Sequence, residues 1–291
     1  MEQVIVALFE GLTLGGTYAL VGLGLVLAFR ATNTLSFAHG QLIMLAVFII
    51  GRLQASTDLS FGFQLIFVLV VVSAVCMLFY QFVLRRLDGL PHLLGFVATL
   101  GLASIIDGFV SIYFGAAQFK LAIPGLPDGS VTIGGANIST AHIVVAVIAL
   151  VVVAAFATAV HTTSIGTRLR AAGQDTVLAA QSGIRVRRIY LASWAMTGVC
   201  AVAAGLAFGS THLVTHGVIE IMLAAFPAIF LGGLDSLWGA LVGGVTIGLL
   251  QGFTMSFVGT DAVNIITWVA LLGVMIFLPN GIFGTKDTVR V

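Results

Sequence analysis

The residues able to do chemistry are few, and most of them are arginines crowded into one polar interval. Thr163 to Ile189 reads TSIGTRLRAAGQDTVLAAQSGIRVRRI and carries Arg168, Arg170, Arg185, Arg187 and Arg188, five of the chain's twelve basic residues, between two long apolar runs. Its middle predicts a short surface helix. Asp175 is the expected N-cap, Val177 to Ser182 is rich in alanine and leucine, and Gly183 is the left-handed residue that ends it. A capped helix between arginine clusters at a membrane face fits a docking element for a cytoplasmic partner. The plainer reading is a positive-inside loop that binds nothing.

Elsewhere the polar side chains stand singly inside apolar runs. His39, Asp107, Asp235 and Gln251 are costly in lipid and ask for a reason. His39 belongs to SFAHGQ, a helix-start sequence. Its backbone N–H groups could face an anionic substrate group, or the imidazole could only steady a broken helix entry. Ser36, His39 and Gln41 are therefore candidates for lining a translocation path. Asp107 reads as a solvated carboxylate near the outer interface, and Asp235-Ser236, after Gly232-Gly233, as a structural turn. No H-E-x-x-H, G-x-S-x-G or paired-cysteine motif occurs, and Gly284-Thr285-Lys286 lacks the spacing of a phosphate-binding loop. Cys76 and Cys200 sit in apolar runs as small buried hydrophobes, with no disulfide or metal role expected. An enzyme is not expected, and no cofactor is expected on this chain. If nucleotide is used, another subunit supplies the site.

What must position these groups is a bundle of membrane helices. Of 291 residues 59% are hydrophobic and 8% charged, where soluble domains run near ~25% charged. Mean hydropathy is +1.16. The expected fold class is an all-α polytopic integral membrane protein, a single transmembrane domain over residues 1–291. The net charge of +1 gives no bulk electrostatic case for nucleic acid. The first residues, MEQVIVALFEG, lack a basic leader, so the first run is expected to be retained as a span.

Nine apolar runs follow in order: Val4–Phe29, Leu42–Ile50, Phe61–Leu84, Leu93–Phe114, Ala141–Val160, Tyr190–Gly209, Ile221–Leu231, Leu237–Val258 and Ala262–Leu278. The second reaches spanning length only if its helix starts near Leu35, with Ser36, His39 and Gln41 in its first turns. It and the seventh, which holds Pro227, are the ones expected to be broken or re-entrant, so eight or nine crossings are expected. Arg30, Arg85/Arg86, the 163–189 loop and the tail with Lys286 and Arg290 fall on one side, taken as cytoplasmic. Arg52, Lys120 and the 115–140 loop, with Pro124, Pro127 and a small hairpin, fall outside. Gly239/Gly243 and Gly244/Gly248/Gly252 recur every four residues and mark close helix packing, within the chain or at a dimer seam.

These segments together carry a resemblance. GLTLGGTYALVGLGLVLAF, LSFAHGQLIMLAVFI, SIGTRLRAAGQDTVLAAQSGIRVRRIYLASWAMTGVCAVAAGLAFG, AAFPAIFLGGLDSLWGALVGG and LPNGIFG are similar to the permease subunits of bacterial branched-chain amino acid ABC importers, of the LivH type. The resemblance implies the ABC importer permease fold in the cytoplasmic (inner) membrane. It implies a second permease (LivM-like or a second copy) and an extracytoplasmic binding protein that delivers the solute. It also implies two cytoplasmic ATPase subunits that bind ATP and Mg²⁺. Arg168 to Arg188, with Asp175, Leu178, Gln181 and Gly183, would be the ATPase-coupling loop. Members of this family also carry amides, urea and other small organic solutes. The other class to weigh is an ion-coupled secondary transporter, which calls for a central carboxylate or cation site.

Overall fold

Hydropathy alone forces most of this backbone into helices, because a bilayer offers no partner to an unpaired N–H or C=O. The computed structural model describes residues 2–284, apart from 88, 116 and 128. The tail with Lys286 and Arg290 lies outside the described residues. The helices are α1 (Glu2–Thr32), α2 (His39–Ser56), α3 (Phe61–Phe82), α4 (His92–Phe114), α5 (Thr140–Thr162), α6 (Ser164–Gln174), α7 (Thr176–Gln181), α8 (Val186–Thr211), α9 (Glu220–Gly232), α10 (Leu237–Phe257) and α11 (Thr260–Phe277). Among the described residues seven helices are long and apolar enough to cross a membrane: α1, α3, α4, α5, α8, α10 and α11. The 18-residue α2 and the 13-residue α9, which contains Pro227, complete the nine apolar runs. The protein is an all-α polytopic membrane protein.

The exceptions to helix are local and have local causes. Between α4 and α5, β1 (Ser130–Ile133) pairs antiparallel with β2 (Ala136–Ser139). Their two-residue turn is Gly134-Gly135, both at positive φ, the backbone a tight hairpin needs. The helix α2 opens at His39, four residues later than the Leu35 start expected from the sequence, so Ser36 lies in the connector and not in a first turn. Side-chain bonds compete with helix there: the Phe37 N–H donates to Thr99 Oγ1 at 3.2 Å and the Thr34 hydroxyl to the Thr32 carbonyl at 3.1 Å. The 163–189 interval holds two helices, α6 as well as the expected short one.

The chain forms two compact units. One is Met1–Val26, Leu126–Ala154 and Leu223–Val291; the other is Leu27–Gly125 and Ala155–Met222. In the first, α10 is the centre, and its glycines let two neighbours approach backbone to backbone. A Cβ added at Gly248 would fall on the Gly15 backbone, one at Gly252 on the Ala7 carbonyl, and one at Gly244 within 2.7 Å of the Ala19 nitrogen, all in α1. At Gly243 and Gly239 it would fall on the α9 carbonyls of Ala228 and Gly232. The rows thus serve packing inside this unit. Gln251 adds a buried polar strut: Tyr18 OH donates to its Oε1 at 2.6 Å, and its Nε2 donates to Thr267 Oγ1 at 2.8 Å. That chain of bonds ties α1, α10 and α11 and accounts for one of the intramembrane polar residues.

In the second unit α8 is the core helix. Trp194 and Thr197 are fully buried, Gly198 meets the Ser73 backbone of α3, and Gly205 meets Val47 and Ile43 of α2. Trp194 and Phe79 rings pack edge to face at 5.7 Å. At one end, Arg187 Nε donates to Gln81 Oε1 at 3.1 Å, and α6 lies against the end of α1. At the other, Gln54 Nε2 donates to the Ala122 carbonyl at 2.7 Å, which joins the end of α2 to the 115–125 segment.

A glycine in the α10 row therefore has no room for a side chain. Gly248→Val is expected to lower stability by about 1–3 kcal/mol or more, read as a drop in the melting temperature of the detergent-solubilised protein. Gly101→Ala in α4, where a Cβ meets nothing within 4 Å, is expected to leave it unchanged.

Candidate functional site

Two places concentrate polar groups that the fold does not consume. The first is the arginine interval. Asp175 is extended at φ −153°, and its Oδ1 accepts the Val177 and Leu178 N–H groups, each at 2.9 Å, so α7 starts on a side-chain cap. It stops on a Schellman motif: Ile184 N–H returns to the Ala179 carbonyl, Gly183 N–H to that of Ala180, and Gly183 has φ +79°. Six residues fixed at both ends make a rigid knob. Ala179 faces inward, while Val177 and Leu178 are 65% and 59% exposed. Gln181 is exposed beside them.

The knob is held to the rest of its unit through α6. A Cβ on Gly173 would come within 2.9 Å of the Arg30 carbonyl at the end of α1. Tyr190 OH of α8 donates to the Ala172 carbonyl at 2.9 Å. Arg170 is turned inward, donating to the Val160 and His161 carbonyls of α5 at 3.4 Å and to Thr167 Oγ1 at 3.2 Å. Arg187 is occupied by Gln81. Two of the five arginines are thus bound within the chain, while Arg168, Arg185 and Arg188 stand exposed around α7.

The second place is the start of α2. Thr34 lies against Gly95 and Phe37 bonds Thr99, seven residues and about 10 Å into α4. The connector therefore rises inside the helical layer before α2 begins. Ser36 and His39 are fully buried there. Ser36 Oγ, both His39 ring nitrogens and Gln41 Oε1 are buried without a hydrogen-bond partner. Leaving such a group unpaired costs about 1–3 kcal/mol, so three side chains together are a substantial burden that asks for an explanation. The helix end itself is poorly served. Its N-cap is Ala38, with no side-chain bond, and the Gly40 N–H points at Met222 Sδ at 3.0 Å.

Met222 belongs to the seventh apolar run, the other one expected to be broken or re-entrant, and the turn that precedes it was not expected from the sequence. A 3-10 turn over His216–Ile219 leads into α9. His216 packs against Phe48 of α2, ring centroids 5.1 Å apart, and its Nε2 is 3.4 Å from Ser111 Oγ. Glu220 opens α9 with an exposed side chain. A signal was available: HGQLIMLA at residues 39–46 and HGVIEIMLA at 216–224 share His-Gly and Met-Leu-Ala one residue out of step. Each follows one of two similar glycine-rich segments, GTYALVGLGLVLAF and TGVCAVAAGLAFG. Asp107 is half-buried on α4, and Ser236 caps α10 through a 3.0 Å bond from Gly239 N–H, which leaves Asp235 in a structural turn.

Comparison with known proteins agrees along almost the whole length. The family described as branched-chain amino acid transport system / permease component matches residues 7–279. The high-affinity branched-chain amino acid transport system permease protein LivH of Escherichia coli is 25% identical over 299 residues, 98% of this chain and 96% of that one. BraD of Pseudomonas aeruginosa, described in the same terms, is 25% identical over 98% of this chain and 97% of its own. The solved structure of PsaBC from Streptococcus pneumoniae in complex with Fab covers 96% of this chain and 93% of that chain at 14% identity. Its TM-score is 0.49.

The cap on α7 makes a local prediction. Asp175→Ala removes the acceptor of two N–H groups, worth about 1 kcal/mol, and is expected to speed hydrogen exchange across residues 177–182 roughly fivefold. Asp175→Asn, which can still cap, is expected to keep protection near the original level.

Proposed function

The chain belongs to the branched-chain amino acid transport system permease family, and from that premise we propose that it is the transmembrane subunit of an ATP-binding-cassette importer for branched-chain or closely related amino acids. It is a multi-pass permease of the inner membrane. In this reading it pairs with a second permease, LivM-like or another copy, and receives solute from an extracytoplasmic binding protein. Two cytoplasmic ATPase subunits carry the ATP and Mg²⁺, and this chain contributes no catalytic group. Ser36, His39 and Gln41 lie on the translocation path.

The observation that carries the reading is α7. A six-residue helix capped at both ends, with two adjacent aliphatic side chains in solvent and free arginines around it, is poor use of sequence unless something docks there. A small apolar anchor ringed by cations matches a groove on a partner with an acidic rim. Its ties through α6 to the ends of α1, α5 and α8 give a push on α7 several membrane helices to act on.

The decisive experiment joins purification to transport. The tagged protein is expected to co-purify with two ATPase chains and a second permease, and to drive ATP-dependent leucine uptake into proteoliposomes when the binding protein is present. The double variant Val177→Asp/Leu178→Asp is expected to insert and pair normally, lose the ATPase subunits, and cut uptake at least a hundredfold, about 2.7 kcal/mol of coupling. Uptake at the original rate by that variant would remove the docking role. Uptake driven by an ion gradient without ATP would replace the importer by a secondary carrier.

A further inference from the structure

The buried groups at the start of α2 call for an acceptor that the fold does not supply. Ser36 and His39 are fully enclosed, and neither the hydroxyl nor either ring nitrogen has a protein partner. In any tautomer the imidazole offers an N–H, and the hydroxyl offers a second donor. Both flank the first turn of a helix, whose free N–H groups carry partial positive charge. A serine, aspartate or asparagine at the cap would neutralise that end, but residue 38 is alanine. The Gly40 N–H has instead a thioether, Met222 Sδ, at 3.0 Å. Sulfur is a weak acceptor, and an unbranched methionine side chain rearranges more readily than any other of its size.

We propose that this end of α2 is a carboxylate site, at which the transported amino acid presents its carboxylate to the Ser36 hydroxyl, a His39 N–H and the first backbone amides of α2, while the Met222 side chain swings aside. The inference rests on the amino acid permease reading and adds which group of the solute is recognised and where. An anion fits better than a cation because the helix end offers donors only, and the Ser36 hydroxyl and one His39 ring N–H can each add another. The carboxylate of Glu220 does not oppose it: two residues before Met222, it points about 200° away around α9 and is exposed. The unpartnered Gln41 Oε1, an acceptor on the next residue of the same turn, suits the solute's ammonium group.

The test uses the importer purified with its partner subunits and without the binding protein. Radiolabelled L-leucine binding is measured by equilibrium dialysis for the original protein, Ser36→Ala and His39→Gln, with co-purification of the partners as the check on folding. The expected result is saturable binding that 4-methylpentanoate displaces and leucinamide does not, weakened about tenfold in each variant. Displacement by leucinamide as readily as by 4-methylpentanoate overturns the carboxylate site. So does undiminished binding in both variants, and so does the absence of saturable binding, in which case the buried groups hold water only. Proteoliposome uptake separates the two levels. If the original protein imports leucine, valine or isoleucine while binding ignores Ser36 and His39, only this site falls; if it imports none of them, the amino acid reading falls with it.

Discussion

Inside a bilayer a backbone N–H or C=O that finds no partner in the protein finds none at all, and the interrupted helices of this chain have to answer that constraint. Most of the answers are ordinary. Thr99 accepts the Phe37 N–H in the first connector, Thr215 Oγ1 accepts from Gly217 at the turn before α9, and Ser236 Oγ accepts from Gly239 at the start of α10. The first turn of α2 has no such bond, with alanine at the cap and a methionine sulfur facing Gly40. Helices α3, α4, α6, α8 and α11 also start without a side-chain cap, but at α2 buried side chains go unpartnered beside the helix end. Two fully buried polar side chains lie at the same spot.

Close packing makes such a departure tolerable. Helices in lipid gain little from burying apolar surface, since lipid tails are as apolar as leucine, so their association depends on contact density and on a few polar bonds. The α10 row achieves the first by removing side chains where α1 and α9 approach, and Tyr18–Gln251–Thr267 supplies the second. In the other unit, Gly198 and Gly205 do for α8 what the α10 row does for α10, and Trp194 fills the remaining space. The faces left outward are long and aliphatic, as on α11 with Ile265, Val269, Leu272 and Ile276, which is what a lipid contact requires.

How much of this was legible in the sequence depends on the range of the interaction involved. The spans, the hairpin in the 115–140 loop and the α7 cap follow from periodicity, composition and nearest-neighbour chemistry, and all three are present. The late start of α2 was not legible because it is set by Thr99, 62 positions away from Phe37, and no local pattern encodes that bond. The role of α6 was hidden for a similar reason: its polar composition reads as loop, while Gly166, Leu169 and Ala172 turn inward on a tertiary surface. Gln251 could be named as an intramembrane polar residue but not as a strut, since Tyr18 is 233 positions away. That the seventh run is short and interrupted was read from its length and Pro227; the turn at His216–Ile219 before it was legible in principle, because His216-Gly217 repeats His39-Gly40. It was passed over because Leu213 to Glu220 mixes polar and apolar residues without a clear period.

The two candidate places are closer along the chain than their roles imply. Gly173 in α6 rests on the carbonyl of Arg30, and the connector that contains Ser36 begins three residues after Arg30, at Asn33, with φ +49°. Asparagine takes this left-handed conformation readily and here ends α1, its N–H returning to the Phe29 carbonyl at 2.7 Å. On the other side of α6, Tyr190 and Arg170 tie it to α8 and α5. A displacement of α7 would therefore act first on the end of α1, and through a single short joint on the buried start of α2. Contiguity alone does not make two sites coupled, because coupling requires an element with two arrangements that both sites bias. The contact between Gly40 and the Met222 sulfur, at 3.0 Å, is the weakest closure at that helix end. A thioether is a weaker acceptor for that helix end than a carboxylate would be.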